Sequence, residues 1–526
     1  MISSARNERA RDREPGVTYV IGVDSSTTAT KAVVWDSEGR AVAEGRHEFA
    51  FSIPHPGWHE QDAEDWWRST AAALRQAATS VSASEIEAIG LTHQRETFAC
   101  LGEDGSALRP AMLWLDARAV KEVEEYGSEE LHRITGKPPD TTPALYKLLW
   151  LRAHEPDVLE RTATVVDVHG YLVKQLTGEC RTTWACADPL GLIDIEAFDW
   201  SDEVLGLVGL ERGQVCEVAP PGAVMGELRA DVAEDLGLPS GIPVVGGAGD
   251  GQSAGLGANV TAPGRAYLNL GTAVVSGTHS PDYAWGREFR TLAGPIPETY
   301  TLETLLQGGT YTVSWFVDKL AGAESWRLGL DLSDEEVLEA AASRLPPGAD
   351  GLLAVPYWNQ SQTPYWDDYA RGVLLGLRGH HGKAHIFRAI LEGIAFEQRL
   401  LTDGVAAALG RPIDTFLALG GGSRSALWCR IIADATQRQV IACREVETTS
   451  LGAAMHAAAA VGWFDSIAAA ADAMSSEGAS YEPDDRGVER YARLFDVYRE
   501  IYPSVAELFP RLSAAVEAAA DSAAKS

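Results

Sequence analysis

Tyr19-Val20-Ile21-Gly22-Val23-Asp24-Ser25-Ser26-Thr27-Thr28-Ala29-Thr30-Lys31-Ala32-Val33-Val34-Trp35 is the stretch whose reading decides the fold. An apolar strand enters a turn made of one acid and several hydroxyls, and a second apolar strand leaves it. The pattern predicts a β-hairpin whose turn offers backbone N–H and side-chain O–H groups to a single anion. The device returns in the second half. There Ala266-Tyr267-Leu268-Asn269-Leu270 runs into Gly271-Thr272-Ala273 and comes back through Val274-Val275. One such turn in each half predicts two lobes that close on one polyphosphate.

A chain of 526 residues is too long for one hydrophobic core, so two domains are expected. The net charge of −31 argues against a nucleic-acid duplex or a membrane surface as partner, because both need stripes of Lys and Arg. Cys100, Cys180, Cys186, Cys216, Cys429 and Cys443 are scattered, with no C-x-x-C pair, and read as reduced thiols of a cytoplasmic protein. Residues 1–16 are charged and polar and read as a disordered tail rather than a signal peptide. No apolar run is long enough to span a bilayer.

Strands alternate with helices along the chain. Ile86 to Leu91 reads as a buried strand that delivers Thr92-His93-Gln94-Arg95-Glu96-Thr97 at its C-terminal end, where α/β sheets carry ligand groups. Asp62 followed by Glu64 and Asp65 predicts a helix start. Ile242 to Ala254 reads as strand, glycine turn and helix start. Thr415–Leu419, Gly420-Gly421-Gly422-Ser423 and a helix from Ser425 repeat that plan. The expected class is α/β, with mixed sheets covered by helices on both sides. Domains are expected over 17–257 and 258–510, and 511–526 is expected to be a flexible tail.

Asp250 stands at a strand-to-helix turn after four small residues, where backbone approaches closely. It suits the acceptance of a proton from an attacking hydroxyl, or the capping of the helix that follows. Asp24 beside four hydroxyl residues suits Mg²⁺, directly or through water, or the stabilisation of its own turn. Lys31 reads as a phosphate partner or a solvent-facing strand residue. Gly421 and Gly422, between strand and helix, let backbone approach a nucleotide. Gln94, Arg95 and Glu96 set donors beside an acceptor, suited to adjacent hydroxyls or to an internal salt bridge. Trp114 and Asp116 on the next segment fit recognition of a carbon skeleton with polar groups, with core packing as the plain alternative for Trp114. His380, His381 and His385 have no acid or Cys at ligand spacing and read as a loop entering a helix.

Taken together, these motifs resemble the FGGY family of carbohydrate kinases from about Tyr19 to Phe464. The resemblance rests on the first hairpin, Gly246-Gly247-Ala248-Gly249-Asp250-Gly251, the Gly271-Thr272 hairpin, the Gly420–Ser423 loop and Glu447-Thr448-Thr449-Ser450-Leu451-Gly452-Ala453-Ala454. It rests also on Gly372-Val373-Leu374-Leu375-Gly376-Leu377 followed by His385 to Glu392. It implies two actin-like, ribonuclease-H-like domains flanking a central cleft, sugar bound largely by the first and ATP by the second. It also implies Asp250 as catalytic base, Asp24 and Asp250 as the Mg²⁺ residues, and ATP contacts at Thr27, Thr28, Gly271, Thr272, Gly309, Gly421, Gly422 and Ser425. Gln94, Arg95, Glu96, Trp114, Asp116 and Asp250 are then the substrate contacts. Homodimers are frequent in the family, while no segment of the sequence marks an interface.

The His93–Thr97 run is similar to that of glycerol kinases, whereas Trp114–Arg118 and Gly420–Ser425 are similar to xylulokinases. Gly251 stands where glycerol kinases place a substrate-holding glutamine. The expectation is therefore ATP-dependent phosphorylation of a primary hydroxyl on a small ketose or polyol, with a pentulose favoured over glycerol or a tetritol. An actin- or Hsp70-like ATPase without a sugar acceptor is the alternative from another class.

Overall fold

The computed structural model describes residues 18–322, 332–358 and 360–524. The tail expected over 1–16 lies outside them. Six strands form the first sheet: β1 (Tyr19–Ser25), β2 (Ala29–Trp35), β3 (Ala41–Glu48), β4 (Ile86–His93), β5 (Val224–Glu227) and β6 (Pro243–Gly249), in the order β5-β6-β4-β1-β2-β3. The β1–β2 hairpin is antiparallel, with Asp24 opposite Lys31, while β1, β4 and β6 run parallel. A second sheet contains β7 (Arg265–Leu270), β8 (Val274–Ser280), β9 (Arg290–Ala293), β10 (Tyr300–Leu306), β11 (Thr415–Leu419), β12 (Gln439–Cys443) and β13 (Glu477–Tyr481). Its order is β9-β10-β8-β7-β11-β12-β13. Its central run β10-β8-β7-β11-β12 repeats the run β3-β2-β1-β4-β6 of the first sheet, with the same parallel and antiparallel senses. The repeated hairpin in the sequence is thus the visible part of a repeated sheet.

Side-chain alternation explains how each sheet is covered. Ile21 and Val23 face a core that includes Trp66 and Leu74 of helix α1 (Ala63–Ala78), whose first turn is capped by the Asp62 side chain. Val20 faces the opposite way, into a core built with Leu256 of helix α2 (Asp250–Gly257) and with residues from far along the chain. In the second half, helix α3 (Lys383–Leu409) and helix α4 (Ala426–Thr436) pack on one face of the second sheet. Helix α5 (Thr448–Ala460) behaves differently, because Leu451, Ala454, Met455, Ala457 and Ala458 pack on Val20, Val33, Ala88 and Val245 of the first sheet. Glycines permit this. A Cβ at Gly22 would lie 1.9 Å from Ser450 O, and one at Gly90 would lie 2.0 Å from Ala453 O.

Helices α2 and α5 meet backbone to backbone, since a Cβ at Gly257 would lie 2.0 Å from Thr448 O. Ala254 meanwhile packs under Tyr267 and Leu417 of the second sheet. The α2–α5 pair therefore sits between the sheets and touches both. At the C-terminus, where a tail is expected over 511–526, Leu508–Ala524 is a helix. Phe509, in the first turn of that helix, packs against the second core.

Candidate active site

Two carboxylates define the site. Asp24 stands one residue before the end of β1, and its neighbour across the ladder, Lys31, is committed to Glu447 with Nζ 2.5 Å from Oε1. Lys31, though partly exposed, is therefore taken up by an ion pair; it ties the first hairpin to the residue that precedes α5. Asp24 is partly buried, and its Oδ1 is enclosed with no hydrogen-bond partner. Burial pushes this carboxyl up to about 7, and the nearby Asp250 and Glu447 add to the effect against the opposing pull of Lys31. An orphaned buried carboxylate oxygen in a negative surrounding fits a divalent cation.

Asp250 opens α2 at the end of β6. It is not the capping residue; Gly249 holds that position. Its Oδ1 accepts the Gly251 N–H at 2.7 Å and lies 2.8 Å from Arg95 Nε. Among the described residues no hydrogen bond engages Oδ2, and the side chain is 40% exposed.

Arg95 leads on to a buried ionic chain that crosses between the halves. Its Nη1 donates to Glu303 Oε2 and Oε1 at 2.9 and 3.1 Å. Arg290 donates to Glu303 Oε1 from Nη2 and Nε at 2.6 and 2.8 Å, and its Nη1 reaches Glu96 Oε1 at 2.6 Å. Tyr267 adds its hydroxyl to Glu303 Oε2 at 2.5 Å. Burial alone would raise the Glu303 carboxyl, but Arg95 and Arg290 outweigh it and hold the group at about 2. Glu96 takes a left-handed backbone, φ 58°, which turns consecutive residues 95 and 96 toward partners on the second sheet.

On the second side, the Gly271–Ala273 turn is gripped by the loop after β10. Thr310 N and Tyr311 N donate to Gly271 O and Thr272 O at 2.8 and 3.2 Å. A Cβ at Gly309 would lie 2.7 Å from Gly271 O, so only glycine fits between these segments. From Thr310 an open cavity of 1170 Å³ extends to Gly421, Gly422 and Ser425, with Glu339 on its wall. The Ser425 hydroxyl caps α4 by accepting from Trp428 N, and donates to Glu339 Oε1 at 2.9 Å. The expected nucleotide contacts of the second half thus share one neighbourhood. Thr27 lies across at the first hairpin, where its hydroxyl accepts from Trp114 Nε1 at 3.0 Å, and Thr28 beside it is exposed.

Residues 19–257 match the N-terminal domain of the FGGY family of carbohydrate kinases, and residues 266–461 match its C-terminal domain. The chain belongs to this family. The xylulose kinase of Bacillus subtilis is 30% identical, over 93% of this chain and 98% of its own. A glycerol kinase of Thermococcus gammatolerans is 31% identical, over 85% of this chain and 90% of its own. The crystal structure of a xylulose kinase from Rhodospirillum rubrum superposes with a TM-score of 0.87 at 29% identity, covering 93% and 99% of the two chains. The fold expected from the sequence, two actin-like domains about a cleft, is borne out, as is a sugar phosphotransferase with ATP as phosphate donor.

Within this kinase, two expected contacts have other work. Asp116 is fully buried. It accepts from Arg118 Nη2 at 2.7 Å and from His59 N at 2.8 Å, and Arg118 in turn stacks 3.7 Å over the Trp58 ring. Its carboxylate braces the loop that carries Trp114, with no face turned to a ligand. Gln94 is also enclosed, donating to Gln61 Oε1 and accepting from Thr97. Trp114, by contrast, is 38% exposed and available to a ligand. Glu303, Arg290 and Glu339 carry no motif and stand in ordinary strand or helix contexts, so only the fold reveals them. No helix of the described residues is long and apolar enough to cross a membrane.

Proposed function

We propose that this protein is a Mg·ATP-dependent pentulose kinase that phosphorylates a primary hydroxyl of a xylulose-like ketose. The observation that carries the reading is the asymmetry of Asp250. Gly251 N–H and Arg95 hold Oδ1, and Oδ2 is left open at the interface of two domains. Oδ2 takes the proton of the acceptor hydroxyl as that oxygen attacks the γ-phosphorus, and the β–γ bridge oxygen leaves with ADP. Asp24 would hold Mg²⁺, which when bound supplies charge neutralisation at the phosphates. Gly271, Thr272, Gly309, Gly421, Gly422 and Ser425 would cradle the nucleotide, with Thr27 and Thr28 approaching it from the first hairpin. Trp114 would pack on the sugar carbons, with Arg95 and Glu96 bordering the same pocket. Closure of the domains keeps water from competing for the phosphoryl group.

The similarity to xylulose kinases supports a pentulose. Position 251 argues in the same direction. A Cβ there would lie 2.8 Å from Glu303 Oε2 and 3.0 Å from Arg95 Nη2, so the glutamine that the likeness to glycerol kinases would call for would have to displace the Arg95–Glu303 pair. The test is ADP release across xylulose, ribulose, erythrulose, xylitol, erythritol and glycerol, with Asp250→Asn as control. Strong turnover confined to a ketopentose, and reduced roughly 10²–10⁴-fold in the variant with nucleotide binding kept, is the expected result. Equal turnover in the variant refutes the base assignment, and turnover with glycerol alone refutes the substrate.

A further inference from the structure

We infer that Glu303 is a positioning residue for phosphoryl transfer, reaching from the second domain to fix Arg95 against Asp250. The inference rests on the reading of Asp250 as the base. Glu303 has no exposed surface, and its carboxylate is held in place from its own sheet. Arg290, opposite it on β9, grips Oε1 through two nitrogens, and Tyr267 on β7 closes on Oε2. The carboxylate is therefore immobile before it meets the first domain. What it meets is one nitrogen of Arg95, bonded to both of its oxygens.

A guanidinium is planar and rigid, so fixing Nη1 fixes the direction of Nε. Nε lies 2.8 Å from Asp250 Oδ1. That contact, with the Gly251 N–H on the same oxygen, leaves Oδ2 to face the acceptor. Arg95 Nη2 donates to no group among the described residues and lies beside Gly251, which makes it the one free donor of the fork in the reacting region. The chain Tyr267–Glu303–Arg95–Asp250 thus couples the seating of the second domain to the aim of the base. Disengaging the domains frees Arg95 and, with it, the orientation of Asp250.

The experiment is a double-mutant cycle in the full-length enzyme, with Mg·ATP and the best ketose from the panel. Glu303→Gln keeps the shape and removes the charge. It is expected to lower kcat roughly 10–100-fold with KM for Mg·ATP unchanged. In an Arg95→Met background the same change should cost less than about twofold, because its effect passes through Arg95. Full kcat in Glu303→Gln, or an equal loss with and without Arg95, overturns the inference. Should Glu303→Gln fail to fold, Tyr267→Phe carries the test, since it removes one bond to Glu303 and no charge. It is expected to lower kcat by about 2–5-fold at near-normal Tm, because only part of that bond's strength reaches Asp250 through Glu303 and Arg95; an unchanged kcat overturns the inference. Asp250→Asn separates the two claims. If that variant turns over normally, the base reading fails. If it is inactive while Glu303→Gln is fully active, only the positioning role fails.

Discussion

Replacing Asp24 by Asn should make the ligand-free protein more stable while removing its activity. The ordinary carboxyl value of 3.8 is pushed up to about 7 at this position. Below 3.8 both the folded and unfolded chains hold the proton, and the site contributes no pH dependence. Between 3.8 and about 7 the unfolded chain releases its proton and the folded chain keeps it, so stability falls as pH rises. Above about 7 the penalty is complete. At about 1.4 kcal/mol per pH unit it amounts to about 4 kcal/mol. The Asn amide must find partners in the same enclosure, at a cost of roughly 1–2 kcal/mol, leaving a net gain of about 2–3 kcal/mol. For domains of this size that is a rise in Tm of roughly 5–10 °C. The assay is thermal unfolding of both proteins in Mg²⁺-free buffer at about pH 4.5 and about pH 8.5, where the difference between the two cancels other titrating groups. The gain should be small at the lower pH and full at the higher. Adding Mg·ATP should raise the wild-type Tm and leave the variant nearly unmoved. An equal gain at both pH values, or none, would refute the picture of an uncompensated carboxylate awaiting a cation.

Three further outcomes follow from the same geometry. Trp114→Phe keeps an aromatic face but loses the bond to Thr27, so KM for the sugar should rise by roughly 3–10-fold, with the KM for Mg·ATP changed less; steady-state kinetics read both. Asp116→Asn should cost about 3 kcal/mol of stability by leaving Arg118 underpaired, while the folded enzyme keeps its KM for sugar; denaturant unfolding beside kinetics separates this from a substrate contact. Cys180 and Cys216 hold their sulfurs 2.7 Å apart on neighbouring parallel segments. A low-molecular-weight disulfide should therefore oxidise this pair before the other thiols, and intact mass with peptide mapping would show an internal bridge.

The sequence made the hairpins, the strand-to-helix turn at Asp250 and the repeated plan legible, because each depends on local pattern: period-two apolar strands, small residues before an acid, and turns of glycine and hydroxyls. What it hid depends on distance. Glu303 and Arg290 look like ordinary polar positions in strands, and their meaning arises only when the second sheet brings them to Arg95, 208 residues earlier than Glu303. Lys31 offered two readings and has a third, since its partner Glu447 comes from the far end of the chain. Asp116 misled for the opposite reason. A Trp followed by an Asp suggests a polyol site, yet the nearer Arg118 claims the carboxylate and turns it inward.

The placement of α5 bears on how the molecule is made. The first sheet leaves Val20, Val33, Ala88 and Val245 covered only in part, by Leu256 of α2, until residues 448–460 have been synthesised. About 200 residues separate the end of β6 from that helix, roughly 10–40 s at ordinary rates of ribosomal elongation. During that interval an apolar sheet face with two glycine gaps stands open beside the translating ribosome. The N-terminal half is therefore poorly suited to life as an isolated fragment, and a chain truncated before Thr448 should collect as aggregate rather than as a folded lobe. Supplying the missing helix in trans, as a C-terminal fragment expressed alongside, is the natural route to recovering soluble material from such a truncation.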